Sequence, residues 1–409
     1  MSEHHDTVIV GGGQAGLAMS SVLHERGREH VVLERGRVAE RWRTERWDSL
    51  RFQFPNWSLQ LPGYTYAGDD PDGFAHFSEI IALIEGYARA SRAPVREGSE
   101  VVSLASGDGG GFVVTSRDGD IHSRRVVIAT GPFQRPLIPQ VAQGLPAWVH
   151  QTDPTRYRSS AQLPAGAVLV VGSGASGIQI ADELNAAGRT VFLSVSRHRR
   201  VPRRFRGKDV YWWLDKLGRF DQTIDSFPSR EWPPSTVVTG VNGGYDVDVR
   251  RLAADGVRVV GRTVGATADS VTFDASATTV LAEADEAYVG FVAAARALAA
   301  GGVGEELTDE DDDPPPPPVG PDIGSVESLD LRAENVATVV WSTGYRYAYD
   351  WVRVPVFDER GRPLQQRGVT AWPGLYFLGL HWMHTFKSGI LVGVGADAEY
   401  LADHMATSG

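Results

Sequence analysis

Two glycine-rich loops of the same pattern, in distant parts of the chain, constrain its fold more than any other feature. The first, Gly11–Gly16 (GGGQAG), directly follows the apolar run Thr7–Val10, and the second, Gly172–Gly177 (GSGASG), directly follows Val168–Val171. A strand, a G-x-G-x-x-G turn and a helix begin a dinucleotide-binding βαβ unit. The sequence therefore predicts an α/β fold with two Rossmann-like dinucleotide-binding domains.

The glycines of such a loop have distinct physical roles. One permits a tight turn, the next lets the backbone approach a pyrophosphate, and the last lets the helix pack closely on the strand. The N-terminus of the helix adds unpaired N–H groups and the positive end of the helix dipole. The predicted cofactor contacts of the two loops are Gly11, Gly13, Gln14, Ala15, Gly16, Gly172, Gly174, Ser176 and Gly177.

The residue that follows the second strand of each unit indicates which dinucleotide is bound. Glu34 follows the apolar run Val31–Leu33, at the spacing where an acid binds an unphosphorylated ribose, and Arg35 is predicted with it as a cofactor contact. The second unit has Ser196 and Arg197 there and no acid. Because arginine accepts a 2′-phosphate that an acid would repel, we expect FAD at the first site and NADPH rather than NADH at the second.

A basic stretch rich in arginine continues from His198 to Arg206. Charge runs usually form a solvated face of a protein, and we interpret most of these arginines in that way. Arg197 differs because it stands where the second strand of the unit ends.

Two predicted strands share a further pattern, in which Thr-Gly follows an apolar run. The pairs are Thr130 with Gly131 and Thr343 with Gly344. Each alone is an ordinary strand end. As a matched pair beside the two glycine loops, they are interpreted as cofactor contacts that return the chain beneath a bound dinucleotide.

The order of these motifs predicts a discontinuous domain. We assign residues 1–140 and 331–409 to the FAD domain and residues 165–325, inserted between them, to the NADPH domain. Residues 141–164 and 309–330 are predicted linkers. The second linker begins with an acidic and polyproline segment that cannot pack a core.

Composition excludes several classes of function. The chain has no cysteine, so neither a disulfide relay nor a thiolate metal site is available, and no histidine spacing indicates a metal. A net charge of −11 makes nucleic acid a poor partner. No apolar run reaches the roughly 18 residues of a membrane span, and the N-terminus lacks the basic start of a signal peptide. We expect a cytoplasmic protein without a membrane segment.

Together these residues resemble the class B flavin-dependent monooxygenases, which include flavin-containing monooxygenases, plant YUCCA-type enzymes and bacterial flavoproteins named for a link to potassium transport. Glu40–Arg43 is similar to a tryptophan-bearing segment that runs along FAD in that family, and Trp47–Asn56 to the next stretch, which borders the flavin. Leu375–Gly379 is similar to the segment that closes over the flavin ring. The cofactor contacts that the resemblance adds are Trp42, Arg43 and Gly379.

Two positions depart from the family pattern. The signature FxGxxxHxxx(Y/F)(K/P) keeps its histidine at His150 but lacks the Phe and Gly, so Baeyer–Villiger chemistry is not indicated. Where the family has an asparagine near the flavin, ungapped matching from Ser49 places Gln53, with Asn56 three residues on. Either amide is a candidate catalytic residue that hydrogen-bonds cofactor or substrate, or else lines a loop.

The resemblance implies an FAD-dependent, NADPH-consuming monooxygenase that inserts one oxygen atom from O₂ into a small organic substrate through a C4a-hydroperoxyflavin. Its pocket would be built from the aromatic-rich segments Trp42–Tyr66, Tyr211–Leu214 and His381–Lys387. Two alternatives stay open: an NADPH-dependent flavin reductase or oxidase that produces H₂O₂, and a non-catalytic redox-sensing nucleotide-binding subunit. A homodimer also stays open.

Overall fold

The computed structural model describes residues 3–227, 233–302, 307–308, 320 and 322–407. Its helices are α1 (Gln14–Glu25), α2 (Glu40–Thr44), α3 (Phe77–Ala90), α4 (Ala175–Ala186), α5 (Val210–Lys216), α6 (Val249–Ala254), α7 (Ala277–Ala300) and α8 (Leu391–Thr407). Its strands are β1 (Glu3–Val10), β2 (His30–Leu33), β3 (Gln60–Leu61), β4 (Tyr64–Thr65), β5 (Val95–Arg96), β6 (Val101–Ser106), β7 (Phe112–Ser116), β8 (Gly119–Ile128), β9 (Arg135–Pro136), β10 (His150–Thr152), β11 (Ala167–Val171), β12 (Val191–Ser194), β13 (Arg204–Phe205), β14 (Lys208–Asp209), β15 (Val238–Thr239), β16 (Tyr245–Asp246), β17 (Arg258–Val260), β18 (Thr263–Ala266), β19 (Ser270–Phe273), β20 (Ser328–Asp330), β21 (Val336–Trp341), β22 (Tyr345–Arg346), β23 (Gln365–Gln366), β24 (Val369–Thr370) and β25 (Leu375–Phe377).

The first sheet has a parallel centre in the order β25-β8-β1-β2-β5, and antiparallel strands extend it on both β8 and β25. In β1, Val8 pairs with Val31 of β2 on one side and with Val126 of β8 on the other. These strands are continuous apolar runs because helices cover both faces of a parallel sheet. On one face α1 packs against α8, so the last helix of the chain completes the layer that the first helix begins.

The second sheet has the order β10-β21-β11-β12-β17, and all its strands are parallel. Here β11 lies between β21 and β12, as β1 lies between β8 and β2 in the first sheet. The two glycine loops thus occupy equivalent positions in two equivalent sheets. The predicted fold class, two Rossmann-like units with the second inserted into the first, is confirmed.

Two strands lie in a different sheet from the one that the predicted boundaries imply. Val336–Trp341 pairs with Ala167–Val171 in the second sheet, although residues 331–409 were assigned to the FAD domain. His150–Thr152, from the predicted linker 141–164, pairs with Val336–Trp341. The reason is that the two sheets have equivalent strand orders. In the second sheet β21 lies next to β11, just as β8 lies next to β1 in the first sheet. The acidic and polyproline segment 309–318 lies outside the described residues.

Candidate functional site

One large cavity, about 1180 Å³ in volume, lies where the two sheets present the carboxyl ends of their strands. Residues that follow β1, β2, β8 and β25 line it from the first sheet, and residues that follow β11, β12, β17 and β21 line it from the second. Ligands of open α/β sheets bind outside the carboxyl ends of the strands. The ligand positions of both sheets therefore open into the same cavity.

The first glycine loop has the geometry of a phosphate-binding turn. Gly11 has a φ of +116°, and a Cβ there would lie 2.6 Å from the carbonyl oxygen of Ala129, so only glycine fits. A Cβ on Gly16 would collide with the carbonyl oxygen of Gly11, which explains how closely α1 approaches the turn. A Cβ on Gly13 would meet nothing within 4 Å. The space beside Gly13 is open to a ligand.

The second loop repeats this geometry. Gly172 has a φ of +105°, and a Cβ there would collide with the carbonyl oxygen of Ser342. A Cβ on Gly177 would collide with the carbonyl oxygen of Gly172. Beside Gly174 the nearest atom is Ser235 Oγ, at 3.9 Å from a Cβ. Gly16 and Gly177 thus pack against the backbone of their own loops, while Gly13 and Gly174 face open space.

Both helices that follow the loops begin without a side-chain cap. Gly13 is the N-cap of α1 and Gly174 is the N-cap of α4, and neither first turn contains an acidic residue. The first N–H groups of a helix have no intrahelical acceptor, and the dipole makes this end positive. Two such ends on one cavity fit two pyrophosphates, and so fit the predicted pair of FAD and NADPH.

Glu34 lies at the end of β2, where the first dinucleotide would place its ribose. Its Oε2 accepts a hydrogen bond from the N–H of Gly12 at 2.7 Å, and its Oε1 accepts one from the N–H of Gly36 at 2.9 Å. Each carboxylate oxygen keeps a further lone pair for a ribose hydroxyl. Arg35 also lines the cavity, with its guanidinium 3.7 Å from the carboxylate of Glu45.

Ser196 and Arg197 line the second dinucleotide position, at the end of β12. The Ser173 hydroxyl donates to the carbonyl of Ser196 at 2.8 Å and accepts from its N–H at 2.9 Å, which fixes this turn. Arg197 is exposed, and no carboxylate in the described part of the chain pairs with it. Arg262, which follows the neighbouring strand β17, lines the same cavity. Sequence reasoning missed Arg262, although its place shortly after the strand Arg258–Val260 is typical of a ligand contact.

The basic stretch that follows is only partly a solvated face, so that prediction is wrong for two of its arginines. The side chain of Arg200 is 4% exposed and lies 2.6 Å from Asp248 Oδ2. The side chain of Arg203 is 3% exposed, lies 2.8 Å from Asp209 Oδ2, and donates to the backbone carbonyl of Gln53 at 2.8 Å. Buried charges persist in proteins only when they are paired, and both arginines satisfy that condition.

Helix α2 divides its residues between the cavity and the protein interior. Trp42 lines the cavity, and the guanidinium carbon of Arg46 lies 4.8 Å above the Trp42 ring. Burial lowers the pKa of Arg46, which also lines the cavity and which sequence reasoning missed. The prediction of Arg43 as a cofactor contact is wrong, because Arg43 pairs with Glu85 of α3 and does not line the cavity. Successive helical residues point about 100° apart, so Trp42 and Arg43 face different sides.

The two candidate catalytic amides are separated by the structure. Gln53 lines the cavity, and the bond from Arg203 holds its backbone in place. Asn56 is buried away from the cavity, and its Nδ2 donates to the carbonyl of Asp70 at 2.9 Å. Asn56 therefore holds a loop, which corrects its assignment as a catalytic candidate, and Gln53 remains the candidate.

The matched Thr-Gly pairs both line the cavity, one from each sheet. Gly131 has a φ of +76° and Gly344 a φ of +93°, so each chain turns sharply where its strand ends. The hydroxyl of Thr130 accepts a hydrogen bond from the side chain of Gln134 at 3.0 Å. Their placement follows from the equivalence of β8 and β21.

The segment before α8 closes onto the first glycine loop. Gly379 has a φ of +75°, and a Cβ there would lie 2.5 Å from the Cβ of Ala15. The side-chain amide of Gln14 donates to the carbonyl of Gly389 at 3.1 Å. The last helix is thereby fixed to the loop that begins the first helix.

Aromatic residues build another wall of the cavity. Each of the three segments expected to form the pocket contributes to it, among others through Phe52, Tyr211 and Trp382. Burial lowers the pKa of His381, another lining residue, to about 4, so its imidazole is neutral at pH 7. Burial also raises the pKa of the Tyr345 hydroxyl. The wall is apolar, with neutral polar groups.

The predicted site residues converge on this cavity to a large extent. Those that line it are Gly11, Gly13, Gln14, Ala15, Glu34, Arg35, Trp42, Gln53, Thr130, Gly131, Gly172, Gly174, Ser176, Ser196, Arg197, Thr343, Gly344 and Gly379. Within the described ranges, no group of three or more His, Asp or Glu side chains is arranged to hold a metal ion. None of the helices that the structure describes is long and apolar enough to cross a membrane.

Comparison with known proteins identifies the family. The sequence profile of the pyridine nucleotide-disulphide oxidoreductases matches residues 8–216. The chain belongs to this family. It is 33% identical to the uncharacterized CzcO-like oxidoreductase of Geobacillus kaustophilus, over 97% of both chains. It is 30% identical to the probable indole-3-pyruvate monooxygenase YUCCA1 of Arabidopsis thaliana, over 44% of both chains.

Solved structures share the fold over the whole chain. A flavin-containing monooxygenase from Stenotrophomonas maltophilia superimposes with a TM-score of 0.67 at 18% identity, over 99% of both chains. A structure described as OTEMO in complex with FAD and NADP superimposes with a TM-score of 0.57 at 14% identity, over 100% of this chain and 86% of that one. The predicted resemblance to class B flavin-dependent monooxygenases is confirmed, as is the prediction of an oxidoreductase. The predicted cofactors FAD and NADPH agree with the pyridine nucleotide of this family and with the FAD and NADP of the OTEMO structure.

Proposed function

We propose that this protein is a monooxygenase that inserts one oxygen atom from O₂ into a small organic substrate at the expense of NADPH. The balanced reaction is substrate + O₂ + NADPH + H⁺ → oxygenated substrate + H₂O + NADP⁺. The observation that carries the proposal is the shared cavity, in which two uncapped helix N-termini, those of α1 and α4, meet one aromatic wall. Two dinucleotides anchored there would extend from opposite sides into one cavity.

The residues of the cavity divide the work of binding. The glycine loops hold the two pyrophosphates, Glu34 binds the ribose of FAD, and Arg197 binds the 2′-phosphate of NADPH. When bound, FAD would supply the redox chemistry between NADPH and O₂. The aromatic wall around Trp382 and Phe386 excludes water, which favours transfer of oxygen to the substrate over loss as H₂O₂.

The lack of cysteine supports O₂ as the electron acceptor. Family members that reduce disulfides relay electrons through cysteine, and this chain contains none. Electrons that reach the flavin therefore leave it by direct transfer to a small molecule. The YUCCA relatives, which carry the word monooxygenase in their names, are consistent with that direction.

The fate of the electrons tests the proposal. FAD-loaded protein is supplied with NADPH and air, and NADPH oxidation, H₂O₂ and oxygenated product are quantified with a panel of thioethers and amines. We expect H₂O₂ to fall and product to rise toward one per NADPH when a substrate is accepted. One H₂O₂ per NADPH with every compound would instead identify a flavin oxidase.

A further inference from the structure

A second cavity adjoins the cofactor cavity. Its volume is about 430 Å³, which lies within the range of roughly 300–1,000 Å³ typical of small-molecule sites. The two cavities share Arg197, Arg199, Trp382 and Phe386 in their walls. The smaller cavity therefore opens toward the aromatic end of the larger one.

Aromatic rings form one side of this second cavity. Phe220 and Phe386 are stacked with centroids 5.5 Å apart and planes 9° apart, and Trp382 meets Phe386 edge-on at 5.5 Å and Phe227 edge-on at 5.0 Å. Trp382 has a backbone φ of +50°, a conformation that bulky residues rarely adopt. Such strain concentrates at functional sites, where the surroundings hold the residue in place. Here it places the indole between two phenyl rings.

Positive charge forms the other side. Arg199 and Arg219 both line the cavity, and neither pairs with a carboxylate in the described ranges. Burial, and then the neighbouring Arg219, lower the pKa of Arg199, so the two guanidinium groups interact unfavourably. Glu283 is the one carboxylate among the described lining residues, and it forms no ion pair with either arginine. Two like charges beside an apolar wall are stabilised by an anionic ligand.

We propose that this cavity binds an organic carboxylate, with its carboxylate group on Arg219 and Arg199 and its aromatic or apolar body against Trp382 and Phe386. The proposal rests on the proposed function, because the shared wall directs the far end of the ligand toward the cofactor cavity. The substrate class is then an organic acid with an oxidisable centre remote from its carboxylate.

NADPH phosphate is the competing source of an oxyanion, and Arg219 distinguishes the two. Arg199 lines both cavities, whereas Arg219 lines the second cavity alone. If these arginines serve the cofactor, loss of Arg219 changes the KM for NADPH. If these arginines bind a carboxylate, loss of Arg219 changes the KM for the acid and leaves the KM for NADPH unaltered.

The kinetic test compares 4-(methylthio)benzoate with methyl p-tolyl sulfide, which share a thioether and differ in a carboxylate against a methyl group. Arg219→Gln is expected to raise the KM for the acid at least tenfold and to leave the KM values for the neutral sulfide and for NADPH within twofold. Arg219→Lys, which keeps the charge, restores part of the affinity. Arg117→Gln, which removes an exposed arginine outside both cavities, is the control.

A binding measurement needs no turnover and separates this proposal from the proposed function. Calorimetry of the FAD-loaded protein with 4-(methylthio)benzoate is expected to give saturable binding that Arg219→Gln weakens at least tenfold and Arg117→Gln does not. Inorganic phosphate, titrated in parallel, is expected to bind more weakly than the acid. Absence of binding by the acid, equal binding in Arg219→Gln, or a raised KM for NADPH with an unchanged KM for the acid would overturn the proposal.

Discussion

At the scale of single residues, the proposed distinction between the two dinucleotide sites depends on Arg197. It is exposed at the rim of the cavity, and Arg262 enters the same cavity from the next strand of the sheet. Both guanidinium groups can donate hydrogen bonds to the oxygens of a 2′-phosphate, whereas Glu34 lies at the equivalent position in the first unit. The proposed preference for NADPH therefore depends on a few exposed side chains rather than on the fold.

Arg197→Gln is expected to lower kcat/KM for NADPH by about 10- to 100-fold, because a charge-assisted hydrogen bond contributes about 1.5–3 kcal/mol. The value for NADH, which lacks the 2′-phosphate, should change little. The measurement is the ratio of the two kcat/KM values. Arg117→Gln, which removes an exposed arginine outside the cavity, is the control. An unchanged ratio in Arg197→Gln contradicts the assignment.

Gln53 and Asn56 form a second matched pair of substitutions. Gln53→Ala is expected to raise the share of NADPH lost as H₂O₂ by about 2- to 10-fold, the effect of one hydrogen bond, with little loss of stability. Asn56→Ala, which removes the bond to Asp70, should lower the free energy of unfolding by about 1–2 kcal/mol and leave that share unchanged. The reverse pattern of effects would show that Asn56 is the amide at the flavin.

His381 makes stability depend on pH in a defined direction. Its folded pKa of about 4 lies below its ordinary value of 6.5, so the unfolded chain binds the proton more tightly. No stability is lost above pH 6.5, and stability falls as the pH drops from 6.5 toward 4. Between pH 7.5 and 5 the loss reaches up to about 2 kcal/mol.

Urea unfolding of the flavin-free protein at both pH values measures this effect. His381→Gln does not titrate in this range, so the gap in unfolding free energy between variant and wild type should shift by up to about 2 kcal/mol. Parallel pH dependences of the two proteins would mean that His381 is not held neutral by the fold.

Glycine positions explain why the site could be predicted at the scale of elements. The spacing of Gly11, Gly13 and Gly16 predicts a turn, a close approach to a ligand and a packing contact. In the structure Gly11 has the positive φ of a tight turn, Gly16 packs against the Gly11 carbonyl, and Gly13 faces open space. The sides of α2 were less predictable, since a five-residue helix has no clear apolar face. Only the three-dimensional structure shows that Trp42 lines the cavity whereas Arg43 pairs with Glu85.

The two classes of glycine predict opposite outcomes for the same substitution. Gly13→Ala should leave the fold intact, because a Cβ there meets nothing and its φ of −88° suits any residue, but should weaken FAD binding at least about tenfold. Gly16→Ala should destabilise the protein by about 2–3 kcal/mol, because its Cβ collides with the Gly11 carbonyl. Thermal melts and flavin content of the purified variants separate the two effects, and equal losses of stability would contradict this division.

The sheet to which the strand Val336–Trp341 belongs was not predicted correctly from the sequence. Thr-Gly follows this strand, as it follows Val126–Ala129, and from this pattern both segments were predicted to contact a cofactor. Both Thr-Gly pairs line the cavity. The sheet of Val336–Trp341 was mispredicted because the long intervening segment hides the pairing with β11. If each Thr-Gly strand is assumed to pair with the strand that precedes a glycine loop, as β8 pairs with β1, then β21 is assigned to the second sheet beside β11.

At the scale of the whole molecule, two equivalent sheets place two ligand positions on one cavity. The insertion of one unit into the other matters because the chain returns through β24, β25 and α8 to the first sheet, and this return fixes Gly379 and the aromatic segment against the first loop. The resemblance and the paired loops predicted this architecture from the sequence. The charged second cavity was not predictable, because Arg199, Arg219 and Trp382 are distant in the chain.

In the proposed reaction, electrons from NADPH pass through the flavin to O₂ and leave one oxygen atom in an organic product. Labelling with ¹⁸O₂ tests it most directly: FAD-loaded protein, NADPH and a thioether are incubated under ¹⁸O₂ in unlabelled water, and the sulfoxide is analysed by mass spectrometry. We expect one ¹⁸O atom per sulfoxide, with catalase present to remove free H₂O₂. Sulfoxide that disappears when catalase is added, or an unlabelled product, would contradict it.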